Sequence, residues 1–153
     1  MSLKSLLPWS LLVIRLTLGI IFIAHGGQKL FGLWGGPCCA STTGLAVTIH
    51  TFEKNMGIHP FLTVISAAAE FLCGIGVVVG LLTRFASATL GVVMVVAMIQ
   101  AHLSHGFFIN WQLARGVGHG IEFNVALLGM GVGLLLSGPG KYSLDRLLGI
   151  EKG

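Results

Sequence analysis

Apolar residues gather into four long runs divided by polar or glycine-rich stretches. The run FLTVISAAAEFLCGIGVVVGLLT, from Phe61 to Thr83, is close to the ~20 residues that an α-helix needs to cross a ~30 Å hydrocarbon core. The pattern predicts spans at about 6–24, 61–82, 85–101 and 121–137. Span one carries Arg15 at its middle and span two carries Glu70. A charge inside a bilayer usually has a partner or a task. Opposite charges at matching places predict a buried Arg15–Glu70 pair at one depth, with His102 and Glu122 forming the polar wall above it. Helical spacing then places Arg15, Gly19, Phe22 and Gly26 on one face, and Ser66, Glu70, Gly74, Val77 and Leu81 on another. Span three shows a stripe of Gly91, Met94, Met98, His102 and His105, and span four one of Glu122, Ala126, Gly129 and Gly133.

The connections are informative too. Thr83-Arg84 leaves room only for a tight turn, so spans two and three form an antiparallel hairpin. Between the first two spans, Leu45, Ile49, Phe52 and Met56 recur at helical intervals. Ser41 or Thr42 could cap that segment and Gly57 could end it. This predicts a short amphipathic helix at the membrane interface, with an ordinary loop as the alternative. Residues 103–120 read as a polar connector, and Gly138-Pro139-Gly140 ends span four.

Composition narrows the class. Of 153 residues, 54% are hydrophobic and 9% are charged, against about 25% charged in ordinary soluble domains. The expected fold is therefore all-α: an integral membrane four-helix bundle forming one domain over 1–153, with a short interfacial helix in the first outer connector. The run after Lys4 could pass for a signal peptide. Arg15 interrupts it, and His25 to Lys29 make no small-x-small cleavage site, so it reads as a retained span. Basic residues are scattered, which argues against nucleic acid as a partner. Lys4, Arg84, Lys141, Arg146 and Lys152 fall on the side of the termini, and Lys29, Lys54 and Arg115 on the other. The positive-inside rule then places both termini in the cytoplasm of a multi-pass inner-membrane protein. All six histidines fall on the outer side, as a polar, titratable cup.

Two readings of the charged residues stay open. Arg15 and Glu70 could be a structural clamp that fixes register. They could also hold a ligand headgroup or relay a proton, since the arginine donors suit a quinone carbonyl. His25, His102, His105 and Glu122 are candidate ligands for a first-row metal, and Met94 or Met98 would favour copper. The same side chains with His119 could instead exchange protons near neutral pH or anchor the interface. Cys38 and Cys39 are adjacent, and the ring of a vicinal disulfide is strained. Their spacing matches neither a redox CxxC nor a zinc site, and Cys73 reads as a packing residue. The chain has no CxxCH haem motif, no iron–sulfur cysteine set and no GxGxxG dinucleotide fingerprint. No nucleophile–base pair argues for hydrolysis, and no internal repeat argues for transport.

Four blocks carry a family resemblance. They are RLTLGIIFIAHGGQKLFG with Arg15, Gly19, His25, Gly26, Lys29 and Gly32, and AEFLCGIGVVVGLLTRFAS with Glu70, Gly74, Gly80, Leu81 and Arg84. The others are MVVAMIQAHLSHGFF with Met98, Ala101, His102 and Gly106, and GIEFNVALLGMGVGLLLSGPGKYSLD with Glu122, Gly138, Pro139, Gly140, Ser143 and Asp145. In this order they resemble the DoxX family of small four-helix membrane proteins. The family is similar to the hydrophobic DoxD subunit of a thiosulfate:quinone oxidoreductase. The resemblance implies a membrane redox-associated subunit that binds a quinone or similar molecule in a polar intramembrane pocket. Arg15, Glu70, His25, Lys29, His102 and Glu122 would be its ligand-binding or proton-relay residues. Electrons would come from a partner oxidoreductase, the other neighbours being membrane lipids. A homo-oligomer is left open, as is whether the chain is itself an enzyme. The alternative is a non-enzymatic membrane protein that binds or transports a small molecule or metal. CCASTT is not part of the family pattern, so no role passes to Cys38 and Cys39.

Overall fold

The computed structural model describes residues 3–35 and 44–151. Cys38, Cys39 and the expected caps Ser41 and Thr42 lie outside them. The described residues contain helices and no strand. Helix α1 spans Leu3–Phe31, α2 Leu45–Met56, α3 Pro60–Val79, α4 Thr83–Ala97, α5 Glu122–Ser137 and α6 Leu144–Leu147. Three segments are long and apolar enough to cross a membrane: Leu6–Phe31, Pro60–Val79 and Thr83–His105. The fourth, Glu122–Ser137, is apolar but shorter. This is an all-helical membrane bundle, and the expected short helix of the first connector is α2.

Two boundaries differ from the hydropathy reading. Helix α1 continues seven residues past Ala24 to Phe31, which carries Lys29 to partners on α3 and α2. Beyond Ala97, α4 widens into a π turn at Met98–His102 and tightens into a 3-10 turn at Leu103–His105.

The four long helices close a ring in which α1 packs on α3, α3 on α4, α4 on α5 and α5 back on α1. Leu18, Phe22, Val77, Leu90, Leu127 and Leu134 fill its centre. Helices α1 and α3 touch backbone to backbone, and glycine makes that possible. A Cβ on Gly19 would stand 2.7 Å from the Gly74 carbonyl oxygen, and one on Gly74 would stand 2.9 Å from the Ile23 nitrogen. Small residues at such crossings let apolar helices gain van der Waals contact where lipid offers no hydrophobic drive.

The bundle has two unlike ends. The turn end holds the α3–α4 turn, α6 and the start of α1, where Trp9 meets Tyr142 at a ring distance of 4.9 Å. The connector end holds α2, the 106–120 loop and all six histidines. That loop is not the polar connector its sequence suggests, since Phe107, Phe108, Trp111, Leu113 and Val117 all lie on its outside.

Candidate functional site

At the turn end, Arg15 is buried to within 1%, but it does not meet Glu70. Its Nε donates to the Val77 carbonyl at 2.8 Å and its Nη2 to Val78 at 2.7 Å. Its Nη1 donates to Pro139 at 3.0 Å and Tyr142 at 2.6 Å. Val77 and Val78 belong to the last turn of α3, whose carbonyls have no partner inside the helix. A cation there also faces the negative end of the helix dipole. Asp145 does the complementary work on the next helix. Its carboxylate accepts from Leu82 N at 2.6 Å and Thr83 N at 2.8 Å, at the start of α4. Its own N–H donates to the Gly80 carbonyl at 2.8 Å. Arg84 closes a third terminus, donating through Nη1 to Leu135 of α5 at 2.5 Å and pairing with Glu151 at 2.6 Å. The turn end is thus a set of helix caps supplied by charged side chains.

The expected Arg15–Glu70 pair is corrected by the antiparallel register of α1 and α3. Gly26 stands against Phe71, and Gly19 against Gly74 and Val78. Glu70 is therefore level with residues near Gly26, about 11 residues along α1 from Arg15. At ~1.5 Å of rise per residue that is roughly 16 Å. The centre of an apolar run is not a measure of depth when the helix outlasts the run.

Glu70 pairs instead with Lys29, one turn past His25. The Lys29 ammonium donates to Oε1 at 2.5 Å and Oε2 at 2.7 Å. The Glu70 side chain is 5% exposed and that of Lys29 is 22% exposed. Helix α2 covers the pair from outside. Its Phe52 ring lies 5.6 Å from Lys29 Nζ, and its Thr48 hydroxyl donates to the Lys29 carbonyl at 3.3 Å. His25 is exposed and shares its helix face with Lys29 at i, i+4. The Trp34 ring packs over Gly27 beside them. Here an ammonium meets a carboxylate next to the surface of the bundle, with an imidazole one helical turn away on α1.

The remaining expected residues are engaged elsewhere. His102 Nδ1 lies 2.9 Å from the His119 carbonyl. Its tautomer decides the proton's place, and a donating ring is the arrangement a carbonyl accepts. The Glu122 carboxylate accepts from Ile109 N at 3.0 Å, and the His105 ring lies over Gly118. Among the described residues, no group of three or more histidine, cysteine or acidic side chains is arranged to hold a metal ion. The sequence reading missed Asp145 as a cap. The signal was present in Ser143-Leu-Asp, a capping serine followed by an acid, and the Ser143 hydroxyl does accept from Arg146 N. It also missed Asn124, which is buried and donates to the Met94 sulfur at 2.9 Å.

The comparisons with known proteins agree with this architecture. The DoxX family model matches residues 10–103. "Uncharacterized membrane protein Rv3486" of Mycobacterium tuberculosis (strain ATCC 25618 / H37Rv) is 32% identical over 145 residues, 92% of this chain and 82% of the relative. "Inner membrane protein YqjF" of Escherichia coli (strain K12) is 31% identical over 148 residues, 95% of this chain and 96% of the relative. "Putative oxidoreductase CatD" of Bacillus subtilis (strain 168) is 29% identical over 134 residues, 88% and 83% of the two chains. No solved structure gives a significant match.

Proposed function

The chain belongs to the DoxX family of membrane proteins, and from that premise we propose that it is a redox-associated subunit binding a quinone-like ring at His25, Lys29 and Glu70. The observation that carries the reading is the Lys29–Glu70 pair. Its carboxylate is nearly inaccessible, its ammonium reaches the surface, and a histidine stands one turn away. The name of CatD supports the redox class. Arg15 drops out of the ligand set, because its donors already hold four carbonyls.

In this reading Lys29 donates a hydrogen bond to one quinone carbonyl, and Glu70 with His25 passes protons to the ring. Reduction of a quinone to a quinol takes two electrons and two protons. The electrons come from a partner oxidoreductase, and the protons enter at the connector end. The name of YqjF supports an inner-membrane location. The balance of basic residues, with Arg84, Lys141 and Arg146 at the turn end, supports a cytoplasmic turn end.

A titration of the purified protein in lipid nanodiscs with a short-chain ubiquinone tests the site. Trp34 is close enough to report by quenching. Saturable quenching is expected, lost in the Lys29→Met, Glu70→Leu double variant and kept in Arg84→Ala. Quenching that is unsaturable, or unchanged in the double variant, would remove the site.

A second reading rests on a different feature. Between α4 and α5 lies an apolar groove of about 400 Å³, lined by Ser87, Gly91, Val95, Leu128, Gly131 and Val132 among others. A groove of this size suits a non-enzymatic binder of an apolar molecule. A purified protein that binds quinone unchanged in the Lys29→Met, Glu70→Leu variant but loses it in Gly91→Leu would favour this reading.

A further inference from the structure

The loop from Gly106 to Gly120 is built inside out for a segment in water. Phe108, Trp111 and Leu113 are each about three-quarters exposed, at 74%, 76% and 75%. Loops on a water-facing surface usually present polar side chains and leave backbone groups to solvent. In this one the Asn110 side chain folds back onto the loop's own backbone. Asn110 Nδ2 donates to the Ala114 carbonyl at 3.0 Å and the Val117 carbonyl at 2.8 Å, while its Oδ1 accepts from Ala114 N at 3.0 Å. Glu122 takes Ile109 N. Backbone pairs bind the two ends of the loop together: Gly120 N to Phe108 O at 3.1 Å, Ile121 N to Gly106 O at 3.1 Å and Glu122 N to Phe107 O at 2.8 Å. Hydrocarbon offers backbone groups no partners, so a segment at membrane depth must satisfy them internally.

The length of α5 points the same way. Its 16 residues rise about 24 Å, short of the ~30 Å hydrocarbon core. The loop packs directly on its first turn through the Glu122 and Ile121 bonds, and so occupies the missing thickness. Aromatic side chains, tryptophan above all, favour the depth where headgroups meet acyl chains. Arg115, exposed in the same loop, is long enough to keep its charge among the headgroups from there.

We propose that residues 106–120 form a membrane-seated cap, with Phe108, Trp111 and Leu113 inserted into the headgroup–acyl boundary of the leaflet at the connector end. The occupant of this apolar surface is lipid. The inference stands apart from the quinone reading, since it uses none of His25, Lys29 or Glu70.

Depth-dependent fluorescence quenching tests it. The substitutions Trp9→Phe and Trp34→Phe leave Trp111 as the sole tryptophan of the full chain, and both replaced residues are exposed. The protein is reconstituted in phosphatidylcholine vesicles whose acyl chains carry bromine either near the headgroup or near the bilayer centre. Expected results are a blue-shifted emission, loss of most of it with the shallow bromine, a smaller loss with the deep one, and protection from aqueous iodide. Quenching by iodide as for free tryptophan, with no bromine effect, would overturn the cap. So would protection from both quenchers, which would mean that a second copy or another protein covers the loop. Should the double substitution fail to fold, Phe108→Trp is scored against the wild type by its added bromine-sensitive emission. Added emission that only iodide quenches overturns the proposal equally.

Discussion

Arg15 and Glu70 are both almost inaccessible, yet their partners differ in kind. Arg15 is held by four backbone carbonyls drawn from α3 and the tail. Its charge has become part of the scaffold, and each of those bonds closes a group that lipid could not satisfy. Glu70 is held by one flexible, partly exposed lysine next to an exposed histidine. The first arrangement fixes helix ends, uses four of the five guanidinium N–H groups and buries the side chain away from any visitor. The second can open by a rotation of Lys29 without disturbing a helix terminus. A buried charge is thus a poor guide to function until its partners are known. Carbonyl partners indicate architecture, and a titratable partner near the surface indicates chemistry.

Substitutions can break this contrast at either end. The largest effect is expected for Arg15→Met. Each buried acceptor left open costs about 1–3 kcal/mol, and four would be opened together. The variant should fail to accumulate as a monodisperse species in detergent chromatography. Recovery of wild-type yield would show that the carbonyls find other donors.

Next in size is the connector-end pair. Lys29→Met or Glu70→Gln alone should cost about 1–3 kcal/mol in reversible unfolding, and Lys29→Met with Glu70→Leu should regain most of it, as contacting residues couple. A cycle between Arg15→Lys and Glu70→Gln should give additivity within about 0.5 kcal/mol. Strong coupling there would contradict the separation in depth.

An effect of the same order is expected between the two ends. Gly74→Ala forces a Cβ against Ile23 and the Gly19 carbonyl, an overpacking that costs about 1–3 kcal/mol. Gly91→Ala meets no atom within 4 Å and should stay within about 0.5 kcal/mol of wild type. The smallest concerns the exposed Arg84–Glu151 pair. Glu151→Gln should change stability by less than about 1 kcal/mol, and added salt should shrink even that. An effect matching that of Lys29→Met would place a second buried pair at the turn end.

Much of the fold was legible because hydropathy and helical spacing are local signals. The apolar runs mark the helices, and Leu45, Ile49, Phe52 and Met56 mark α2. The candidate site was legible only in its members. Which charge meets which depends on how far α1 runs past Ala24, and hydropathy ends the span where His25, Gln28 and Lys29 begin. Of these, Lys29 is held by Glu70 through its side chain and by Thr48 through its carbonyl, a tertiary fact with no local trace. The 106–120 loop misled for the opposite reason. Its glycines, Asn110, Gln112 and Arg115 outweigh Phe107, Phe108 and Trp111 in a linear reading, although the asparagine turns inward and the aromatics outward.

The carbonyls around Arg15 also order events during synthesis. Two of them, on Pro139 and Tyr142, lie 124 and 127 residues downstream of the arginine. At ~5–20 residues per second, roughly 6–25 s separate the synthesis of Arg15 from that of Pro139. Through that interval the first helix holds a guanidinium whose cradle is only partly built, even once α3 has arrived. The tail is therefore a latch on the nascent bundle. A chain released before Tyr142 would leave that guanidinium without at least one of its four carbonyl partners.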